Sequence, residues 1–200
     1  MPIYLDNQPL DADVKTVGQA IAAARDSSAA GGRLIVEVRI DGEVLLNESL
    51  EAAHDQQVGD RELQLTTAQP GELARSALME VREALAATAD DQQRAAELLQ
   101  ADQNAPAMQH VRQALGVWQQ TQQSVLHSAQ LLGIRLDDIT VRDQPVAQLV
   151  AALTDHLMLV RQQLLANDWL GLADTLSYEM NDAVATWTAV IDALCEKIGE

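Results

Sequence analysis

Apolar and polar residues alternate along the first third of the chain and then settle into a three- and four-residue rhythm, which predicts strands first and long helices afterwards. Ile3, Tyr4 and Leu5 lead into Asp6-Asn7, and Pro9 to Val14 returns as a second short strand, forming a hairpin. Thr16 caps a helix carrying Val17, Ala20, Ile21 and Ala24 on one face, and Gly31-Gly32 stops it. Leu34, Val36, Val38 and Ile40 then alternate with Ile35, Glu37 and Arg39, which assigns the first four to one face of a strand. Asp41-Gly42 turns that strand into Val44, Leu45 and Leu46, since Asp-Gly between apolar runs suits the left-handed residues of a tight hairpin. After a polar stretch, Val58-Gly59-Asp60 precedes a last strand over Glu62 to Thr66.

From Pro70 the stripe Ala74, Leu78, Val81, Leu85, Thr88, Gln92, Ala95 and Leu99 predicts one long helix, about 70–101. Pro106 opens a second, about 106–132, with Met108, Val111, Leu115, Trp118, Gln122, Val125, Ala129 and Leu132, and Gly133 ends it. The short intervening loop makes the pair antiparallel. Folding it back sets Leu99 opposite Met108, Thr88 opposite Trp118 and Ala74 opposite Leu132, so large residues meet small ones.

Ile134 to Asp143 breaks the rhythm, with Ile139 and Val141 in a short extended phrase. A third helix, about 145–166, bears Val146, Leu149, Leu153, Leu157, Val160 and Leu164. Asp168 caps a fourth, about 168–197, with Trp169, Leu172, Leu176, Met180, Ala183, Trp187, Val190 and Leu194. Two amphipathic hairpins bury their stripes only against each other. The expected architecture is therefore α+β: a small N-terminal domain over residues 1–68, then an antiparallel four-helix bundle over 69–200.

The N-terminal order of two strands, a helix and three strands resembles the β-grasp layout of ubiquitin-like domains and small sulfur-carrier proteins. Sulfur carriage needs a terminal Gly-Gly carboxylate, whereas here the last strand runs through Ala68-Gln69-Pro70-Gly71 into a helix, which excludes it. What the resemblance implies is a platform for docking other proteins. The phrase from Asn167 to Glu179, with Asp168-Trp169, Leu172-Ala173-Asp174 and Tyr178-Glu179, resembles a segment of poorly characterised bacterial proteins, some linked to flagellar gene clusters. That likeness implies a secretion or flagellar chaperone and names no catalytic residue.

Composition narrows the function classes. A formal net charge of -17 works against nucleic acid or an anionic membrane as partner, because either would repel the chain before contact. Apolar residues make up 48% with no Phe, so Leu, Val, Ile and Ala fill the core. Arg and Ala are frequent and Lys15 and Lys197 are the lysines, a usage expected of a GC-rich bacterial source. Cys195 is the lone cysteine, which rules out an intramolecular disulfide and favours a reducing, cytoplasmic setting. The start shows no signal-peptide pattern, and no segment approaches the roughly 18 uninterrupted apolar residues of a membrane span.

No phosphate loop, nucleophile elbow or His-Glu-x-x-His motif occurs, so no catalytic residue, cofactor or metal ligand is nominated. Glu51-Ala52-Ala53-His54 has di-iron spacing, but it occurs once and outside the expected helices, and two metals need two such pairs and further carboxylates. His110, His127 and His156 lie on separate helices without partners at ligand spacing. Cys195 beside Glu196 has acidic surroundings that would raise its thiol pKa. Trp118, Trp169 and Trp187 fall on the stripes and are expected in the core, with one edge of Trp169 exposed.

Leu170 and Tyr178 are left over once the stripe is assigned, and Gln119, Gln120 and Gln123, with Gln109 and Gln113, make an uncharged polar face that is easier to desolvate than a charged one. Trp169, Leu170, Tyr178, Gln119, Gln120 and Gln123 are thus the candidate partner-binding residues. The expected function is a non-enzymatic protein-interaction module: a chaperone, adaptor or assembly factor with a protein partner. Two alternatives stand beside it. One is an enzyme or small-molecule binder using a pocket between the two domains, near Asp155, His156 or Glu179; the other is a structural homo-oligomer, a homodimer burying Leu170 and Tyr178.

Overall fold

A computed structural model describes residues 2–199, apart from the side chain of Asn47. The chain is α+β and divides into two compact units, Met1–Leu73 and Ala74–Glu200. Among the described residues no helix is long and apolar enough to cross a membrane.

In the first unit, strands β1 (Ile3–Leu5), β2 (Gln8–Pro9), β3 (Leu34–Ile40), β4 (Glu43–Val44) and β5 (Leu63–Ala68) form one mixed sheet ordered β2-β1-β5-β3-β4, with β1 and β5 parallel. Helices α1 (Val17–Ala29) and α2 (Asn47–Ala53) complete the unit. Its core joins Val17, Ala20 and Ala24 of α1 to Ile3, Val38, Ile40, Leu63 and Leu65 of the sheet. Thr16 caps α1 as its sequence suggests: its hydroxyl accepts from Gln19 N, and Gln19 Oε1 accepts from Thr16 N in return.

Several strand expectations need correction. The strand assigned to Pro9–Val14 shrinks to Gln8–Pro9, and that over Val44–Leu46 to Glu43–Val44. The stretch after it, which reads as merely polar, holds α2, so Glu51 lies on a helix and His54 caps its end. The alternation of β3 also fails at its start. A bulge between Ile35 and Glu37 adds one residue against β5, which reverses the facing of everything before it. Ile35 therefore packs on the core that Val38 and Ile40 enter, while Leu34 and Val36 are 41% and 45% exposed.

The second unit is helical: α3 (Pro70–Gln100), whose first turn belongs to the other unit, α4 (Asn104–Leu132), α5 (Val146–Ala166), α6 (Trp169–Ser177) and α7 (Glu179–Ile198). All five contribute to one core. Three of them stop by the same device. Asp102, Gly133 and Asn167 take left-handed conformations, and the amides of Gln103, Ile134 and Asp168 reach back to the carbonyls of Leu98, Ala129 and Gln163 at 2.8–2.9 Å. Asp168 Oδ1 then accepts from Gly171 N at 3.0 Å, starting α6 one residue later.

The helix expected over 168–197 is two helices. At Tyr178, φ of -109° departs from the helical value, although Tyr178 N still donates to Asp174 O and Asp182 N to Tyr178 O. The helical ladder is interrupted on either side of Tyr178, and with neither Gly nor Pro nearby the apolar rhythm passes through the break. The second helix begins at Asn104, not Pro106, and the third at Val146, not Pro145.

Trp118 sits at the centre of this core. Its ring meets Trp187 edge to face, with centroids 6.3 Å apart, and its indole N–H donates to Gln92 Oε1 at 2.6 Å. Gln92 is one turn nearer the α3–α4 loop than Thr88, the residue expected opposite Trp118. The offset arises because α4 turns Ala107, Ala114 and Thr121 fully inward and leaves Met108, Leu115, Gln122 and Leu132 half-buried.

The extended phrase expected within Ile134 to Asp143 reaches further than that: β6 (Thr140–Val141) pairs with β7 (Gln144–Pro145), which takes Pro145 out of the third helix, and Ile139 and Val141 are buried in the helical core. The β6–β7 hairpin repeats the geometry of β1–β2 and β3–β4. In each, two consecutive left-handed residues make the turn, and the amide of Val146, Leu10 or Leu45 donates to the carbonyl seven residues earlier at 2.8–2.9 Å. Arg142-Asp143 escapes notice in the sequence because Arg rarely takes that conformation.

Two outcomes follow from these contacts. Gln92→Ala leaves a cavity and an unpaired buried indole, so unfolding free energy of the helical unit should fall by about 3 kcal/mol in urea melts, with Gln92→Leu intermediate. In the first unit Asp6 accepts from Thr67 Oγ1 at 2.6 Å and Thr67 N at 2.7 Å, and these bonds, with Arg33 nearby, hold its carboxyl below the usual range. A lowered native pKa gives stability that is present above the unfolded pKa and lost as pH falls through the native one. Asp6→Asn, which keeps the left-handed turn acceptable, should therefore be less stable than the parent at neutral pH and should lose less on acidification below about pH 4.

Candidate functional site

Helix α5 has more apolar residues than one buried face can hold. Val146, Leu149, Leu153 and Val160 face the core, yet Met158, Leu159 and Leu165 are 56%, 37% and 75% exposed. Met158, Arg161, Gln162 and Leu165 follow a three- and four-residue spacing, so they share one outward stripe. Leu115, Gln119 and Gln122 make the matching stripe on α4. Between the two helices runs an open groove of about 340 Å³, walled by Leu115 and Gln119 on one side and Leu157, Met158 and Leu164 on the other. Beside it, a shallower depression on α5 alone is lined by Met158, Arg161, Gln162, Leu165 and Ala166.

Polar side chains fix the walls. Gln122 Nε2 donates to Thr154 Oγ1 at 2.9 Å across the groove floor, and Thr154 Oγ1 donates to Val150 O, so both helices are tied where the groove begins. Gln163 Nε2 donates to the buried Thr175 Oγ1 at 2.9 Å, linking α5 to α6. Arg161 is the single charge lining the groove, and among the described residues no carboxylate pairs with it. A cation without a partner inside an apolar trough, on a chain of net charge -17, suits an apolar helix that carries a carboxylate.

The partner-binding residues expected from sequence are only partly brought together. Gln119 lines the groove, whereas Gln120 and Gln123 are exposed on α4 away from its walls. Trp169 is half-buried against the core at the start of α6. Leu170 and Tyr178 are 67% and 69% exposed, Leu170 on α6 and Tyr178 at the bend after it. Leu115, Leu157 and Leu164, expected on the buried stripes, are half-buried and line the groove instead, together with Met158 and Arg161, which the stripes leave out. Their signal was present, since Met158, Leu159 and Leu165 lie off the buried stripe, but apolar excess on a helix does not by itself say which face stays open.

Groups with chemical potential are dispersed. His110 Nδ1 lies 2.7 Å from Asp91 Oδ1 as a bridge between α4 and α3, and His54 Nδ1 lies 3.0 Å from Asp55 Oδ1 in the other unit. His156 is half-buried with Nδ1 unpartnered, while Asp155 and Glu179 are exposed, and no hydrogen bond joins the three among the described residues. Among those residues no cluster of His, Cys, Asp or Glu could hold a metal ion. Cys195 is buried, and burial is what chiefly raises its thiol pKa; Asp192 adds to the rise, while Arg75 and Arg82 oppose it. The acidic sequence neighbour Glu196 is therefore not the main cause. Native protein at neutral pH should resist iodoacetamide at Cys195 and react fully once unfolded in urea, as mass spectrometry would show.

No protein-family model matches the chain, and neither the curated proteins nor the solved structures searched contain a match.

Proposed function

We propose that this chain is a non-enzymatic protein-interaction module, an adaptor, chaperone or assembly factor, whose α4–α5 groove receives an amphipathic helix of a partner protein. The observation that carries the proposal is the open, largely apolar groove between α4 and α5 with Arg161 unpaired on its wall. Met158 and Leu165, 56% and 75% exposed on one stripe of α5, are the apolar surface that such a partner would cover. A helix of the partner would set residues at i, i+3, i+4 and i+7 against Leu115, Leu157, Met158 and Leu164, and a Glu or Asp against Arg161.

Two finer architectural proposals accompany it. The sheet order β2-β1-β5-β3-β4 with parallel central strands supports a β-grasp-like first unit. The shared core of α3, α4, α5 and the bent α6–α7 pair supports a four-helix bundle, with α6 and α7 counted as one rod. A secretion or flagellar chaperone working in the cytoplasm is the narrowest form of the proposal, and it rests on the Asn167–Glu179 phrase.

The test is affinity capture from the native cell with the parent chain and with a Met158→Lys/Leu165→Lys variant as baits. Both side chains are exposed, so the variant should fold, as circular dichroism would verify. The parent should recover one dominant protein and the variant at least about tenfold less of it. Equal recovery by both baits, or no protein above background with the parent, would contradict the proposal. Light scattering closes the remaining route: a dimer formed by the parent and lost in the variant would assign the groove to a second copy of this chain.

A further inference from the structure

The first unit carries a second open surface of different character. Strand β3 is paired with β5 along its whole length, from Leu34 opposite Ala68 to Ile40 opposite Leu63. On its other side β4 pairs only with Arg39 and Ile40, and the last link is Leu45 N donating to Val38 O at 2.9 Å. From Leu34 to Glu37 that second side has no strand partner among the described residues. About 13 Å of sheet edge is left, enough for a short extended segment to continue the line of β4.

The free edge opens into a cavity of about 510 Å³ bounded by Ile21 and Arg25 of α1, Leu34 and Val36 of β3, and Leu46 and Leu50 beside it. The lining is mostly apolar, and Leu46 is 70% exposed. The bulge is what places Leu34 and Val36 there: without the extra residue they would be turned into the core with Val38 and Ile40. A helix would satisfy the apolar wall but none of the edge amides and carbonyls, whereas an added strand satisfies both.

Charge selects further. Two arginines, Arg25 and Arg33, line the cavity of a strongly acidic chain. Arg33 is held against Thr67 by bonds of 2.7 Å and lies 3.7 Å from Asp6, but no carboxylate pairs with Arg25 among the described residues. The lining carboxylate, Glu37, is itself engaged by Arg39 at 2.6 Å. Arg33 is thus spent on Thr67 and Asp6, and Arg25, near the end of the helix that leads into β3, is the cation left to the cavity at the start of the strand. A segment added antiparallel, as β4 is, would bring its C-terminal end to that point.

We infer that the β3 edge is a docking site for an extended peptide segment of a partner protein, added antiparallel, with apolar residues at alternate positions followed by glutamate or aspartate beside Arg25. The site is independent of the helical groove, and neither needs the other to be occupied.

The probe is a fluorescein-labelled peptide alternating Val with Thr and ending in two glutamates, titrated into the intact chain and followed by fluorescence anisotropy. Three companions accompany it: the same peptide ending in two lysines, one with the glutamates placed first, and one with alternate backbone amides N-methylated. The parent peptide should bind, about fivefold tighter than the lysine or the reversed peptide, and N-methylation at the edge-facing amides should abolish binding. In Arg25→Glu, an exposed substitution on α1 checked by circular dichroism, the preference should shift toward the lysine peptide. Amide NMR shifts should concentrate on residues 34–38. Full binding by the N-methylated peptide, equal or tighter binding by the lysine peptide, shifts centred on the helical unit, or no binding at the solubility limit would each overturn the inference. The Met158→Lys/Leu165→Lys variant should bind this peptide as the parent does, which separates the two surfaces.

Discussion

The helical unit depends on one buried contact set, the Trp118 ring wedged against Trp187 with its N–H committed to Gln92. With no Phe in the chain, these two tryptophans are the largest fully buried side chains, and they join α3, α4 and α7. An edge-to-face pair is worth about 1 kcal/mol beyond its area, and the hydrogen bond removes the cost of burying an indole N–H. Gln92 is wholly buried and leaves Nε2 without a partner, as Thr121 does its hydroxyl. Such polar groups stabilise weakly. They define which turn of α3 faces Trp118, a form of register that Leu and Ala alone would leave loose.

Once that centre is full, the outward residues become meaningful. Helix α5 supplies Leu149, Leu153 and Val160 to the core and still carries Met158, Leu159 and Leu165 on its other sides. The outer faces of α3 and α7 are more charged, with Glu80, Arg94, Glu196 and Lys197, although Met79 of α3 is exposed as well. The same contrast holds in the first unit, where a bulge turns two apolar residues of β3 away from a core that Val38 and Ile40 already fill. In both units apolar surface is left over beside a cation, and that pairing, not any catalytic group, is the basis for assigning interaction.

Much of the framework is legible in the sequence because it rests on local rules. The three- and four-residue stripes locate α3, α4 and α5 to within two residues at each end, and Thr16, Asp41-Gly42, Gly133 and Asp168 mark caps and turns by their own chemistry. What is not legible depends on distant partners. The bulge in β3 exists only against β5, the bend at Tyr178 breaks no pattern, and the Arg142-Asp143 turn uses a residue that seldom adopts it. The groove is a harder case still: Gln119 was found from its neutral face, but Arg161 acquires significance only when the helix opposite it is known.

The central claim is that Trp118 is locked in the helical core by its bond to Gln92. Exchange of the Trp118 indole proton with solvent, followed by NMR in the native protein, tests it most directly. Exchange should occur only through global unfolding, slowing in step with the free energy from urea melts. Exchange at the rate of an exposed indole, with the fold intact, would contradict it.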